Sequence, residues 1–362
     1  MNYYLNEVRD INKRNEEQRH AGGKARWDIS TILSGLKFEP IDIELQETER
    51  ETAKNYIYKM YLHVQAAQKL KTAFQCLKPG DTIYIQFPIF NHSIFNGSLL
   101  KKLRKKDIHV VLIIHDLTML RDAKYTTRFC SKFAVKSEEL EALKSSEKII
   151  VHNESMKAFL LKLGISADKM VVLKIFDYLL PLNASMPKTP AKDCGVIIAG
   201  NLVKQKAEYI YHLPGNIQWN LYGVGYEDEV KSNVDYCGSF LPEELVEHLH
   251  GGFGLVWDGK TAETCSGVYG EYMRINNPHK TSLYLAAGLP VIIWKEAALA
   301  PLVEELQVGI TVSSLYEIKE KIDSLTEAEY AAMKKNVERI SQQLRTGYYL
   351  RTAIQKVSES EQ

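Results

Sequence analysis

The stretch that decides the fold is residues 274–294, RINNPHKTSLYLAAGLPVIIW. It passes from a polar loop into a short amphipathic helix, stops at Gly288 and runs on into an apolar segment. Glycine just past the last helical turn ends a helix, and a β-branched run bounded by turn residues suits a strand buried on both faces. A helix–strand step of this kind belongs to a parallel sheet covered by helices. Working outward, apolar runs of strand length recur at YYLNEV (3–8), TIYIQF (82–87), HVVLIIHD (109–116), KIIVHN (148–153) and MVVLKIF (170–176). A second set follows at GVIIAGN (195–201), IQWNLYGVG (217–225) and GFGLVWDG (252–259). Between the sets, PLNASMPKTPAKDC (181–194) places three prolines among small polar residues, which reads as a linker. The expectation is an α/β protein with a first domain over 1–180, a linker over 181–194 and a second domain over 195–339. The proline-free tail is helical by composition, and its last helix, about 340–362, is expected to pack back on the first domain.

The 362 residues suffice for two cores, and 45% hydrophobic with 25% charged residues is a globular balance. A formal charge of +1 excludes a global field that would draw nucleic acid, so any anion site is local. No run reaches the roughly 18 apolar residues of a spanning helix, and the polar start MNYYLNEVRDINKRNEEQ lacks a signal-peptide core. A cytoplasmic protein is expected. Five scattered cysteines without CxxC spacing read as reduced packing residues, neither a disulfide framework nor a zinc site.

In an open parallel sheet, ligands sit where strands end and helices begin, because backbone N–H groups and helix N-termini are exposed there. Three such loops stand out in the second half. AGNLVKQK ends a strand with Gly200 and Asn201, followed by Lys204 and Lys206, although a plain turn explains Gly-Asn equally well. VWDGKTAETCSGVYGEY gathers Asp258, Gly259, Glu263, Thr264, Ser266 and Gly267, suited to sugar and phosphate recognition or simply to a surface loop. NNPHKTS puts Lys280, Thr281 and Ser282 at a helix start. A cation there opposes the helix dipole, so Lys280 needs either solvent or a compensating anion, for which a phosphate would serve.

In the first half, His115 and Asp116 follow VVLII, where either could accept a proton from a hydroxyl or cap a helix. RHAGGKARWDI brings Gly22, Gly23, Lys24 and Arg26 to a strand–helix junction, a place to reach a bound anion or sugar; QFPIFN does the same with Gln86, Pro88 and Asn91. SLLKKLRKK (98–106) carries leucines on one side and five basic residues on the other, a solvated face or a contact for an anionic membrane.

AGNLVKQK, FGLVWDG, ETCSG, NNPHKTSLYLAAGLPVIIW with EAALA, and RTGYYLR closely resemble bacterial β-1,6-galactofuranosyltransferases of O-antigen and capsule assembly. More distantly they resemble the glucosyltransferase that extends sugars on serine-rich-repeat streptococcal adhesins. GGKARWDI, QFPIFN, LIIHDL, VHN and KIFDYL extend the resemblance over nearly the whole chain. It implies the GT-B architecture, two Rossmann-like domains facing a central cleft, with nucleotide on the second and acceptor on the first. It further implies UDP contacts from Gly200, Asn201, Tyr222, Lys280 and the Asp258 loop, with Asn277 beside them in NNPHK, where the pattern follows the galactofuranosyl branch. The expected reaction is inverting transfer of galactofuranose from UDP-galactofuranose to a glycan hydroxyl, lipid-linked or free, in polysaccharide assembly. It needs no metal and no cofactor beyond the donor. Asp116 is the expected base, with His115 and Glu263 as rivals. A UDP-glucose-dependent transferase, an epimerase and a non-catalytic sugar-binding partner remain open, as do a homo-oligomer and peripheral attachment at the inner face of the plasma membrane.

Overall fold

The computed structural model describes residues 1–8, 23–44, 56–90, 93–121, 129–181, 184, 191–227 and 232–360. Two six-stranded, all-parallel sheets form the chain. The first contains β1 (Asn2–Val8), β2 (Glu39–Glu44), β3 (Thr82–Phe87), β4 (His109–Ile114), β5 (Lys148–Val151) and β6 (Met170–Val172), in the order β2-β1-β3-β4-β5-β6. The second contains β7 (Val196–Asn201), β8 (Trp219–Val224), β9 (Val234–Tyr236), β10 (Phe253–Val256), β11 (Val291–Trp294) and β12 (Gly309–Val312), ordered β12-β11-β10-β7-β8-β9.

The first sheet carries α1 (Lys24–Gly35), α2 (Tyr56–Ala73), α3 (Asn96–Arg104), α4 (Thr118–Arg121), α5 (Phe129–Ser145) and α6 (Glu154–Lys162). The second carries α7 (Lys204–Ala207), α8 (Pro242–His248), α9 (Gly267–Tyr272), α10 (His279–Ala286), α11 (Ala300–Leu306) and α12 (Ile318–Ser324). Two long helices close the chain, α13 (Glu327–Arg345) and α14 (Tyr348–Glu359). Among the described residues no helix is long and apolar enough to cross a membrane.

Strand periodicity distributes the core. Along β4, Val110, Leu112 and Ile114 fill a cluster on one face of the first sheet. Val111 and Ile113 face the other way, into a cluster that continues through Leu173, Phe176 and Tyr178 into the second lobe. The two lobes therefore share packed apolar surface where the chain crosses between them.

The chain also returns. A capping box between Thr326 and Glu329 starts α13, which packs on α10. Gly347 then turns the backbone at φ 75°, and α14 packs on α1 and β6 of the first lobe. The Asp177 carboxylate accepts from the Tyr349 and Leu350 amides at 3.1 and 2.8 Å, satisfying free donors of the α14 N-terminus.

Each sheet has a switch point, where the strand order reverses and flanking loops diverge into a crevice. In the second sheet it lies between β7 and β10, which pair only at Phe253–Val196 and Gly254–Ile197. Beyond that the strands part, and the Ala199 amide donates to the Tyr284 hydroxyl of α10 at 2.7 Å. In the first sheet it lies between β1 and β3.

Candidate functional site

The crevice of the second lobe is built by the loops after β7 and β10 and by the start of α10. Gly200, at φ 141°, ends β7 in a conformation closed to most side chains, and a Cβ there would meet nothing within 4 Å. Its carbonyl lies against Gly223 of β8, so open space faces the backbone on one side only. The Asn201 side chain accepts from the Val203 amide at 3.0 Å and fixes this turn. Lys204 is exposed, its ammonium 5.3 Å from the Tyr211 ring centroid.

After β10 the chain folds tightly on itself. Gly259 adopts φ 119°, where a Cβ would stand 2.4 Å from the Ser266 carbonyl. It also bridges to Ala207, bringing the β10 loop beside the β7 loop. Lys280, the second residue of α10, donates to the Trp257 carbonyl at 2.8 Å and to the Asp258 carboxylate at 3.0 Å. The dipole conflict of a cation at a helix start is thus answered within the protein, by Asp258. The phosphate invoked from sequence is not needed to balance Lys280. Close by in sequence, the Ser266 and Thr281 hydroxyls and both ring nitrogens of His279 are buried without a hydrogen-bond partner of good geometry. Burial and the Lys24 ammonium hold His279 down to about 4, so it is neutral at pH 7.

Two residues expected to touch nucleotide are occupied elsewhere. The Tyr222 hydroxyl donates to the His248 carbonyl at 2.9 Å and accepts from the His250 amide at 3.1 Å. Asn277 donates to the carbonyls of His152 and Lys174 at 2.9 and 3.0 Å and accepts from Asn153 at 2.7 Å. Its amide donates to His152 Nδ1 at 3.0 Å, while His152 Nε2 donates to the Ile114 carbonyl at 3.0 Å. Asn277, Asn153 and His152 thereby form a saturated clasp between the lobes. Burial pushes His152 down to about 4, keeping Nδ1 free to accept.

Across the cleft, His115 and Asp116 sit at the end of β4, both partly buried. The Leu117 amide donates to the Tyr272 hydroxyl of α9 at 2.9 Å, so this loop is tied to the second lobe. Gln86 donates to the Arg26 carbonyl and the Ser30 hydroxyl, which leaves its Oε1 toward His115 Nε2 at 2.7 Å. His115 therefore carries its proton on Nε2 and its lone pair on Nδ1. Burial, then Arg26 and the neighbouring His152 and His279, hold its pKa well below the ordinary value. Its ring stacks on Phe176, with centroids 5.5 Å apart. Glu263 is exposed in the β10 loop.

The first-lobe cations have partners inside the fold. Lys24 is 4% exposed, pairs with Asp28 one turn on, and donates to the Leu179 carbonyl at 2.7 Å. Arg26 is held by Glu7 and the carbonyls of Gln86 and Pro88, with its guanidinium 3.9 Å from the Phe90 ring centroid. Gly23 precedes α1, and a Cβ there would touch the Trp27 ring at 3.1 Å. Lys24 and Arg26 thus fasten α1 to the crossing segment and to β3, with their donors spent inside the fold. Gly22 and Asn91 lie outside the described residues. The sequence reading passed over His152, Asn153, Tyr272 and His279. The signal for the first two was the pair His-Asn at the end of an apolar strand, and His279 stood beside the lysine it did single out.

The glucosyltransferase 3-like N-terminal domain matches residues 2–175 and the C-terminal domain of the same family matches 196–357. The chain belongs to the glucosyltransferase 3-like family. Within that family it is 35% identical to the beta-1,6-galactofuranosyltransferase WbbI of Escherichia coli (strain K12), covering 98% of both chains. It is 28% identical to glucosyltransferase 3 of Streptococcus gordonii, over 83% of this chain and 86% of the relative. The sucrose-phosphate synthase of Thermosynechococcus elongatus superposes on 100% of this chain and 98% of its own, with a TM-score of 0.65 at 13% identity. The fold is GT-B, as the resemblance implied, and the chain is a glycosyltransferase.

Proposed function

We propose that this glycosyltransferase moves galactofuranose from UDP-galactofuranose to a hydroxyl of a glycan acceptor, with inversion at the anomeric carbon. The observation that carries the donor is the full-length relation to WbbI, which spans both lobes without truncation. The second-lobe crevice supports the nucleotide end of the reaction. Gly200 opens the backbone to close approach, and the start of α10 gathers Lys280 with the orphaned hydroxyl of Thr281, near that of Ser266. Buried polar atoms without partners inside the chain are costly, and a diphosphate or ribose supplies the missing partners.

In the reaction, the acceptor hydroxyl oxygen attacks the anomeric carbon while the bond to the UDP oxygen breaks. UDP leaves with the electron pair. Its developing charge falls on the α10 N-terminus and Lys280, which favour the transition state over the ground state. Asp116 takes the acceptor proton. Beside it His115, neutral and anchored through Gln86, holds a lone pair on Nδ1 that accepts a hydrogen bond from sugar without adding charge. The acceptor is a growing saccharide of a cell-envelope polysaccharide.

The test is UDP release by the purified protein from UDP-galactofuranose, UDP-galactopyranose, UDP-glucose and UDP-N-acetylglucosamine, each with and without glucoside and galactoside acceptors. Acceptor-dependent release from UDP-galactofuranose alone is expected. Preference for UDP-glucose replaces this donor by the one in keeping with the family's description and its streptococcal relative. Absence of release from every donor removes the catalytic reading.

A further inference from the structure

One surface of the first lobe combines two unusual features. Along α2, Ile57, Tyr61 and Val64 recur at one-turn spacing and are 78%, 53% and 38% exposed, with Tyr58 alongside at 41%. The Ser93 hydroxyl donates to the His63 carbonyl at 2.8 Å, which seats the approach to α3 beside this ridge, and Phe95 at the α3 start is 37% exposed. Helix α3 buries Leu100 and Leu103 and turns Lys101, Lys102 and Arg104 to solvent, followed at once by exposed Lys105 and Lys106.

Against α5 the same helix forms a groove of about 450 Å³, lined by Lys101, Arg104 and Lys144 with the Ser137 and Ser145 hydroxyls. Among the described residues Glu141 and Glu147 pair with these cations, at 3.8 and 3.7 Å, with both members of each pair substantially exposed. Such pairs are weak and exchange readily for other anions. The patch is therefore strongly basic in a chain whose formal charge is only +1.

We infer that the α2–α3 face docks on an anionic lipid surface, with lipid phosphates seated in the α3–α5 groove. Charge and composition select this occupant. Interfaces between proteins are depleted of lysine at their centres, whereas lysine beside exposed aromatic and aliphatic side chains is the composition of a peripheral membrane face. Acceptor saccharides carried on lipid would then meet the cleft from the bilayer that holds the enzyme. The docking itself does not depend on which sugar is transferred.

The test is sedimentation of the full chain with phosphatidylcholine vesicles, with and without phosphatidylglycerol. Recovery with the anionic vesicles alone, reversed by raising the salt concentration, is expected. K102E/K105E/K106E leaves the ion pairs of Lys101 and Arg104 in place and lies away from the cleft. It is expected to lower vesicle binding about tenfold or more while turnover on a soluble acceptor and thermal unfolding stay unchanged. I57S/Y61S is expected to weaken binding to a smaller extent. Equal recovery with neutral vesicles, no recovery with anionic ones, or undiminished binding of the triple lysine variant overturns the inference. Self-association or capture by a protein without anionic-vesicle binding also overturns it.

Discussion

Lys24 and Lys280 look alike in sequence, each at the start of a helix, yet the structure uses them differently. Lys24 is buried, Lys280 is half-buried, and each is paired with an aspartate. Around Lys24, the remaining donor goes to the Leu179 carbonyl and the Asp28 carboxylate also accepts from the Leu179 amide, so the group is closed. Around Lys280, the nearby Thr281 and Ser266 hydroxyls are left without partners, and the β7 loop presents open backbone at Gly200. The proposed donor site rests on such unfinished polar groups beside a cation; where they are all satisfied the cation is a fastening.

The largest expected effect tests the cleft that both lobes share. Asp116→Asn is expected to lower acceptor-dependent turnover about 100- to 10,000-fold with UDP affinity kept, measured by UDP release and calorimetry. Retained transfer would move the base to another residue. The lysine comparison comes next. Removing one partner of a buried ion pair costs about 3–5 kcal/mol, so Lys24→Met and Lys280→Met should both unfold at lower denaturant. Only Lys280→Met should also raise the donor KM, and equal donor KM in the two variants would erase the distinction.

A third prediction concerns the clasp. His152 and His279 have folded pKa values depressed to about 4 against an ordinary 6.5. Their contribution to stability is present above pH 6.5 and is lost as pH falls toward 4, because the unfolded chain takes protons that the folded chain refuses. Burial raises Asp28 and Asp177 to about 6 and 7, so their contribution has the opposite sign: present below the ordinary carboxylate range and lost as pH rises through 6 to 7. The histidine term is isolated by comparing wild type with His152→Gln. The stability gap between them should narrow by about 2 kcal/mol between pH 7 and pH 5; a constant gap would count against the clasp as a proton-excluding contact. The smallest effect is Thr281→Val, which removes an orphaned hydroxyl. Unliganded stability should be unchanged or up to about 1 kcal/mol higher, while donor KM rises several-fold. A loss of stability with unchanged KM would show that the hydroxyl serves the fold.

The central strands were legible because they are covered on both faces and read as continuous apolar runs: TIYIQF is β3, HVVLII is β4 and KIIV is β5. The edge strands were not. β2 (EPIDIE), β9 (VDY) and β12 (GITV) have a neighbour on one side only and carry charged or half-exposed residues, so their signal is short and mixed. MVVLKIF gives only three strand residues, because Leu173 onward leaves the sheet to cross between lobes. At the site, positions at strand ends and helix starts followed from local pattern, since glycines and apolar runs are local. Which donors were already spent did not follow. The partner of Lys280 is 22 residues away, that of Asn277 is 124, and the carbonyl that binds Lys24 is 155. Such pairings are set by tertiary packing, and spacing along the chain carries no trace of them.

The return of α14 to the first lobe has a mechanical consequence. The polypeptide passes between the lobes once after β6 and again at Gly347, and the two passages touch, Asp177 of the first accepting from the Tyr349 and Leu350 amides of the second and the Tyr178 amide donating to the Leu344 carbonyl at 3.1 Å. One covalent crossing is a swivel, free to twist in any direction. Two crossings bonded to each other resist that twist, because turning one lobe on the other would shear the contacts between them. The Asp177 seat of α14 is in that sense a stay against twisting, set at the seam where the chain changes lobes.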